Sequence, residues 1–116
     1  MSPEEIVRAE LSAWSRLDLY EIMSHFATDA VWDNVPLGAV RGHDEIRKNI
    51  ERYLSRVTQA ELEVLNLAVA GNVVLTERVD HFHFFDGQTI HARVMGAFEV
   101  AGEKIAAWRD YFDVPK

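Results

Sequence analysis

From Glu61 to the end of the chain the hydrophobic period is two, and glycine-bearing turns cut this half into four runs, near 61–69, 73–85, 89–100 and 104–113. Side chains that alternate in this way belong to strands with one covered and one open face. The connections, Ala70-Gly71-Asn72, Asp86-Gly87 and Ala101-Gly102-Glu103, are short enough that successive strands must be antiparallel neighbours. Asp86-Gly87 is the strongest of these signals and predicts a hairpin turn with two positive-φ residues.

The first half has helical spacing instead. Ser2-Pro3-Glu4-Glu5 predicts a helix start, with a capping hydroxyl, proline at the first helical position and acids at the positive end of the dipole. The helix is expected to run to about Leu17, with Ile6, Val7, Leu11, Trp14 and Leu17 inward. Asp18 with Glu21 resembles a capping box for a short second helix carrying Leu19, Ile22, Met23 and Phe26. A turn at Thr28-Asp29 leads into a strand from Ala30 to Asn34, and Pro36, Gly38 and Gly42 mark a loop. Asp44-Glu45 open a third helix with the stripe Ile46, Ile50, Tyr53, Leu54 and Val57. Helices followed by an antiparallel meander predict an α+β fold, with a strongly curved sheet wrapping the helices into a cone around an internal pocket.

At 116 residues the chain is expected to be a single domain spanning 1–116. Twelve Lys and Arg against 19 Asp and Glu give a net charge of −7, which argues against nucleic acid or an anionic membrane surface as partner. The absence of cysteine removes disulfides, thiolate nucleophiles and zinc ribbons. The N-terminus lacks the basic flank and apolar run of a signal peptide, and no apolar run would span a bilayer, so a cytoplasmic protein is expected.

Parity then groups the residues that carry chemistry. Val74, Thr76, Arg78, Asp80, Phe82 and Phe84 share one face of the second long strand, as do Ala106, Trp108, Asp110 and Phe112 on the last. Between them Ala92, Val94, Gly96 and Phe98 form the inward set. If these faces meet, two carboxylates and one guanidinium share an apolar chamber walled by Val74, Phe82, Ala92, Val94, Phe98, Trp108 and Phe112, which suits a small hydrophobic substrate. Burial and mutual repulsion push the pKa values of paired carboxylates apart, and an arginine between them can fix which keeps a proton. The opposite parity carries Val79, His81, His83, Phe85, His91, Arg93, Met95, Ile105, Ala107, Arg109 and Tyr111. That mixture predicts a partly covered outer surface and hence a dimer interface.

Thr76-Glu77-Arg78-Val79-Asp80, Gly96-Ala97-Phe98-Glu99, Trp108-Arg109-Asp110-Tyr111-Phe112-Asp113 and Asp33-Asn34-Val35-Pro36-Leu37 ahead of Gly42, in this order and spacing, resemble the limonene-1,2-epoxide hydrolase family. That family lies within the SnoaL-like, ketosteroid-isomerase-like group of cystatin-like cones. The resemblance implies a homodimer, no metal or organic cofactor, and one-step addition of water to an epoxide. By the family pattern Asp80 is the general acid, Asp110 the general base on water, Arg78 orients both, and Asn34 holds the water. The chain departs from the pattern at Trp32, where the family has tyrosine; an indole N–H only donates, so water is expected to be held differently and the pocket wall reshaped. It departs again where the chain stops at Val114-Pro115-Lys116, since relatives continue into a tail.

Simpler readings stand beside these. Arg78 with either aspartate can be a buried structural ion pair. His81, His83 and His91 imitate a metal site, but interface or solvated histidines explain them more simply. Asn34 can serve only as a turn cap, and Glu77, Glu99 and Asp113 are expected to be surface charges. Two other function classes use such a cone. One is an isomerase or cyclase moving a proton next to a carbonyl, which needs no bridged pair of acids; the other is a non-catalytic module that binds small hydrophobic ligands.

Overall fold

The structure, a computed structural model, describes residues 1–114; of the C-terminal stretch Val114-Pro115-Lys116, the last two lie outside the described residues. The elements run α1 (Pro3–Ser15), α2 (Leu19–Ser24), β1 (Phe26–Asn34), β2 (Gly38–Arg41), α3 (His43–Leu54), β3 (Val57–Ala70), β4 (Val73–Phe84), β5 (Thr89–Ala101) and β6 (Lys104–Tyr111). Six strands form one sheet in the order β2-β1-β6-β5-β4-β3. Every neighbour pair is antiparallel except β1 with β6. The helix α3 packs against β1 and β2 and also against β3, which lie at opposite ends of that order. The sheet must therefore curl far enough to bring both edges to one helix, and this is the expected α+β cone.

Local chemistry sets the element ends. Glu5 N–H donates to Ser2 Oγ at 3.1 Å and Ser2 N–H to Glu5 Oε1 at 2.8 Å, a full capping box with Pro3 at the first turn. The helix α1 stops at Ser15, two residues short of the expected end. Leu17 sits at φ 55, and the N–H groups of Leu17 and Asp18 donate to the carbonyls of Trp14 and Ala13. That is a Schellman closure with leucine where glycine is usual. Because the Asp18 N–H is used there, the capping box expected for α2 is only half made. Asp18 Oδ1 accepts from Glu21 N–H at 3.1 Å, while the Glu21 side chain pairs with Arg16.

Further expectations from the sequence need correction. The first strand begins at Phe26 rather than Ala30, and its pairing with β6 is irregular between Phe26 and Val31, where the turn was expected. The expected loop after Pro36 contains β2, four residues paired back onto β1; so short a strand leaves no alternation to read. Val57, placed on the α3 stripe, starts β3. The β4–β5 connection is a wider hairpin loop. Gly87 N–H donates to the Phe84 carbonyl, Phe84 N–H donates to the Gln88 carbonyl, and only Gly87 has positive φ, at 90°. The turn with two positive-φ residues is instead Gly102-Glu103, at 55° and 65°.

Parity on β4 holds throughout: Val74, Thr76, Arg78, Asp80, Phe82 and Phe84 are all buried. On β6 it fails at the start, because the register with β5 shifts between Glu99 and Val100. Ile105, expected on the outer face, is fully buried in the core as a result.

Candidate functional site

The central stretches of β4, β5 and β6 lie side by side, with Arg78 opposite Val94, Asp80 opposite Ala92, and Gly96 opposite both Thr76 and Asp110. Inward parity therefore places Arg78, Asp80 and Asp110 in one buried cluster. All five N–H groups of the Arg78 guanidinium are used. Nε donates to Asp80 Oδ1 at 3.0 Å and Nη2 to Asp80 Oδ2 at 2.9 Å. Nη1 donates to Asp110 Oδ1 at 3.1 Å and to Thr76 Oγ1 at 3.0 Å, and Nη2 donates to Asp110 Oδ2 at 2.8 Å. A rigid, permanently charged fork is the one side chain able to hold two carboxylates this way.

The two acids are not equivalent. Asp110 accepts a third hydrogen bond, from Trp108 Nε1 at 2.7 Å. Burial raises the Asp110 pKa above its ordinary 3.8, and Arg78 holds the rise back. The charges of both aspartates outweigh desolvation at Arg78 and keep it cationic. Arg78 is only 1% exposed, whereas Asp80 and Asp110 keep 7% and 6%. The carboxylates thus retain slight access to solvent while their bridge has almost none.

Gly96 makes this packing possible. A Cβ there would stand 2.8 Å from both Asp110 Oδ1 and Thr76 Oγ1, and closer still to Arg78 Nη1. On the neighbouring parallel strand Asn34 takes the register position of Asp110, and Val35 N–H donates to the Asp110 carbonyl at 3.0 Å. The end of β1 is thereby pinned beside the acid. The Trp32 ring, half-buried and paired in register with Trp108, lies 6.4 Å from it.

The residues expected to wall the chamber divide into two groups. Val74, Phe98 and Trp108 are fully packed, with the Phe98 and Trp108 rings 4.7 Å apart. Phe82 and Val94 are buried, while Trp32, Ala92 and Phe112 are half-buried. Phe112 lies beyond the end of β6. It borders a hollow of about 390 Å³ that also meets Arg78 and Val94 and is otherwise lined from the outer face, by Leu65, Glu77, Arg93, Met95, Tyr111 and Asp113.

Three residues at the heart of the structure stand outside the site assigned from the sequence. Thr76 supplies the acceptor for the fifth arginine hydrogen, and its inward parity beside Arg78 was the available signal. Trp14 of α1 lies 6.1 Å from the Trp108 ring, 6.0 Å from Trp32 and 6.4 Å from Phe82. Glu10 is fully buried; it sits on the helical stripe between Val7 and Trp14, where spacing alone demanded an apolar residue. Of the histidines, His81 makes ring contacts of 2.9 Å with Glu63 and 2.7 Å with His91 on the outer face.

The match to known proteins covers the whole chain. The limonene-1,2-epoxide hydrolase catalytic domain (LEH) family model matches residues 1–116. The epoxide hydrolase EphG of Mycobacterium tuberculosis is 32% identical over 93% of this chain and 71% of the relative. A solved LEH-like epoxide hydrolase from M. tuberculosis superposes with TM-score 0.85 at 31% identity, covering 94% of this chain and 80% of that one. A structure from Shewanella denitrificans named as a putative SnoaL-like polyketide cyclase superposes with TM-score 0.87 at 12% identity over 96% and 90% of the two chains, a likeness of fold alone. Homology to epoxide hydrolases supports an enzyme and epoxide hydrolysis as its general activity. The chain belongs to the limonene-1,2-epoxide hydrolase catalytic domain family.

Proposed function

We propose that the protein adds water to a small hydrophobic epoxide, terpene-like or cyclic, in one step and without a cofactor, giving a vicinal diol. The observation that carries this reading is the buried Asp80–Arg78–Asp110 bridge, with bidentate contacts on both sides of one guanidinium. Two acids sharing one cation leave an excess negative charge that a single proton removes. By the family pattern Asp80, which accepts two hydrogen bonds against three at Asp110, is the acid of the pair.

In the reaction Asp80 gives its proton to the epoxide oxygen as the C–O bond breaks. Asp110 takes a proton from the water whose oxygen bonds to the ring carbon. The diol leaves with the elements of water added, and the proton on Asp110 returns to Asp80 through solvent. The raised pKa of Asp110 suits this role, since a base nearer to neutrality takes a proton more readily. Asn34 holds the attacking water. Trp32, Val74, Phe82, Ala92, Val94, Phe98, Trp108 and Phe112 shape the apolar wall, Trp32 as donor only.

We also infer that two chains associate through the outer sheet face. Leu65, Leu75, Met95 and Tyr111 are 44–51% exposed there on adjacent strands.

The hydrolase reading is tested by incubating the protein with terpene and cyclic epoxides and assaying diol. Asp80→Asn and Asp110→Asn are each expected to lower turnover by about 10²–10⁴-fold with the circular dichroism spectrum unchanged. Near-normal turnover in either variant contradicts the role given to that residue. Exchange of hydrogen next to a ketone, without diol, would favour an isomerase instead.

A further inference from the structure

Among the described residues, four buried side-chain polar atoms have no hydrogen-bond partner: both carboxyl oxygens of Glu10, Trp14 Nε1 and Trp32 Nε1. They are not scattered. Glu10 and Trp14 are one turn apart on α1, and the rings of Trp14 and Trp32 lie 6.0 Å apart. Buried polar groups are almost always paired, and each one left alone is costly. Trp14 and Trp32, two of the three side chains, also lie within 6.4 Å of the Trp108 ring, whose indole binds Asp110.

Its chemistry is defined by its parts. Both indoles only donate. Burial raises the Glu10 pKa well above the ordinary 4.5, and the Trp14 indole lies close enough to temper the rise without closing a hydrogen bond. The shift favours the neutral carboxyl, which can both donate and accept. Two N–H donors beside a neutral acid disfavour a cation and suit a neutral oxygen that accepts from the indoles and exchanges a hydrogen bond with the acid. The catalytic acids do not use these groups: Trp108, not Trp14 or Trp32, is the indole bound to Asp110.

We propose that Glu10, Trp14 and Trp32 form the polar end of the substrate chamber and recognise a hydroxyl or carbonyl oxygen carried by the substrate in addition to its epoxide. The inference rests on the hydrolase reading for the word substrate; the polar site itself does not. The half-buried rings of Trp32 on β1 and Tyr53 on α3 each lie within 6.4 Å of Trp14.

The test compares two probes, cyclohexene oxide carrying an isopropyl group and the same compound with a hydroxyl on the isopropyl carbon. Wild-type protein is expected to favour the hydroxylated epoxide in kcat/KM by about tenfold or more, because the unpaired groups are satisfied only by that probe. Glu10→Leu is expected to bring the ratio of the two close to one, and Glu10→Gln, which keeps a donor and an acceptor, to preserve most of it. A purely structural role for Glu10 would alter both probes equally and leave the ratio unmoved. The two saturated diols, measured by their shift of the melting temperature, give the same comparison without turnover. If neither epoxide is hydrolysed but the hydroxylated diol is still preferred in a Glu10-dependent way, the hydrolase reading fails and the polar site stands. If wild-type protein shows no preference, or Glu10→Leu retains it, the inference is overturned.

Discussion

At the scale of single residues the site is a problem of fitting charge into an apolar wall, and one guanidinium solves it. Each aspartate meets two N–H groups of Arg78, and the remaining hydrogen is taken by Thr76 Oγ1, so no arginine donor is left over. Gly96 is required by space rather than by backbone conformation, since it is absent from the positive-φ glycines. Gly96→Ala is therefore expected to push on three groups at once, costing about 1–3 kcal/mol of stability and lowering turnover further than that loss explains. Unfolding and kinetics measured together check this, and a fully active, equally stable variant contradicts it. Glu10 gives a second residue-scale expectation. Its folded pKa is raised, so its contribution to stability is fully present below the ordinary 4.5 and is lost as pH rises through the folded value. Melting temperatures across pH are thus expected to fall more steeply above 4.5 in the wild type than in Glu10→Gln; parallel curves would contradict the burial of a neutral acid.

At the scale of elements, what could be read from the sequence was what repeats. The inward faces of β4 and β5 follow from alternation alone, and with them the meeting of Arg78 and Asp80. Asp110 joins them because parity on β6 is correct from Trp108 onward. Features that turn on one local irregularity were not legible: the register shift that buries Ile105, the four-residue β2, and the leucine closing α1. Glu10 was hidden for the opposite reason, since it occupies a position where the pattern demands an apolar group. The turns show how hydrogen bonding overrides composition. Asp-Gly, the favoured pair for two positive-φ residues, sits in the wider loop, and Glu103 carries the positive φ in the tight turn. Glu103→Asn is expected to raise the melting temperature by a few degrees, because asparagine tolerates that conformation and the exposed pair with the N-terminal amine contributes little. A lowered melting temperature would show that the pair outweighs the backbone strain.

At the scale of the whole molecule the cone has an inner and an outer face. Inside, α1 and α3 press aromatic rings against the sheet, where the Trp14, Trp32 and Trp108 rings lie 6.0–6.4 Å from one another. No helix among the described residues is long and apolar enough to cross a membrane. Outside, Met95 lies opposite Tyr111 in register, within the apolar stretch assigned to self-association. Met95→Arg is expected to shift the molar mass measured by light scattering from two chains to one, and an unchanged dimer would place the interface elsewhere. Whether Asp110 activates free water or attacks the epoxide itself is decided by a single turnover in ¹⁸O-water with enzyme in excess. Diol carrying one heavy oxygen from the first turnover is expected if water attacks. Diol that is unlabelled at first turnover would mean that a carboxylate oxygen was transferred, and would contradict attack by water.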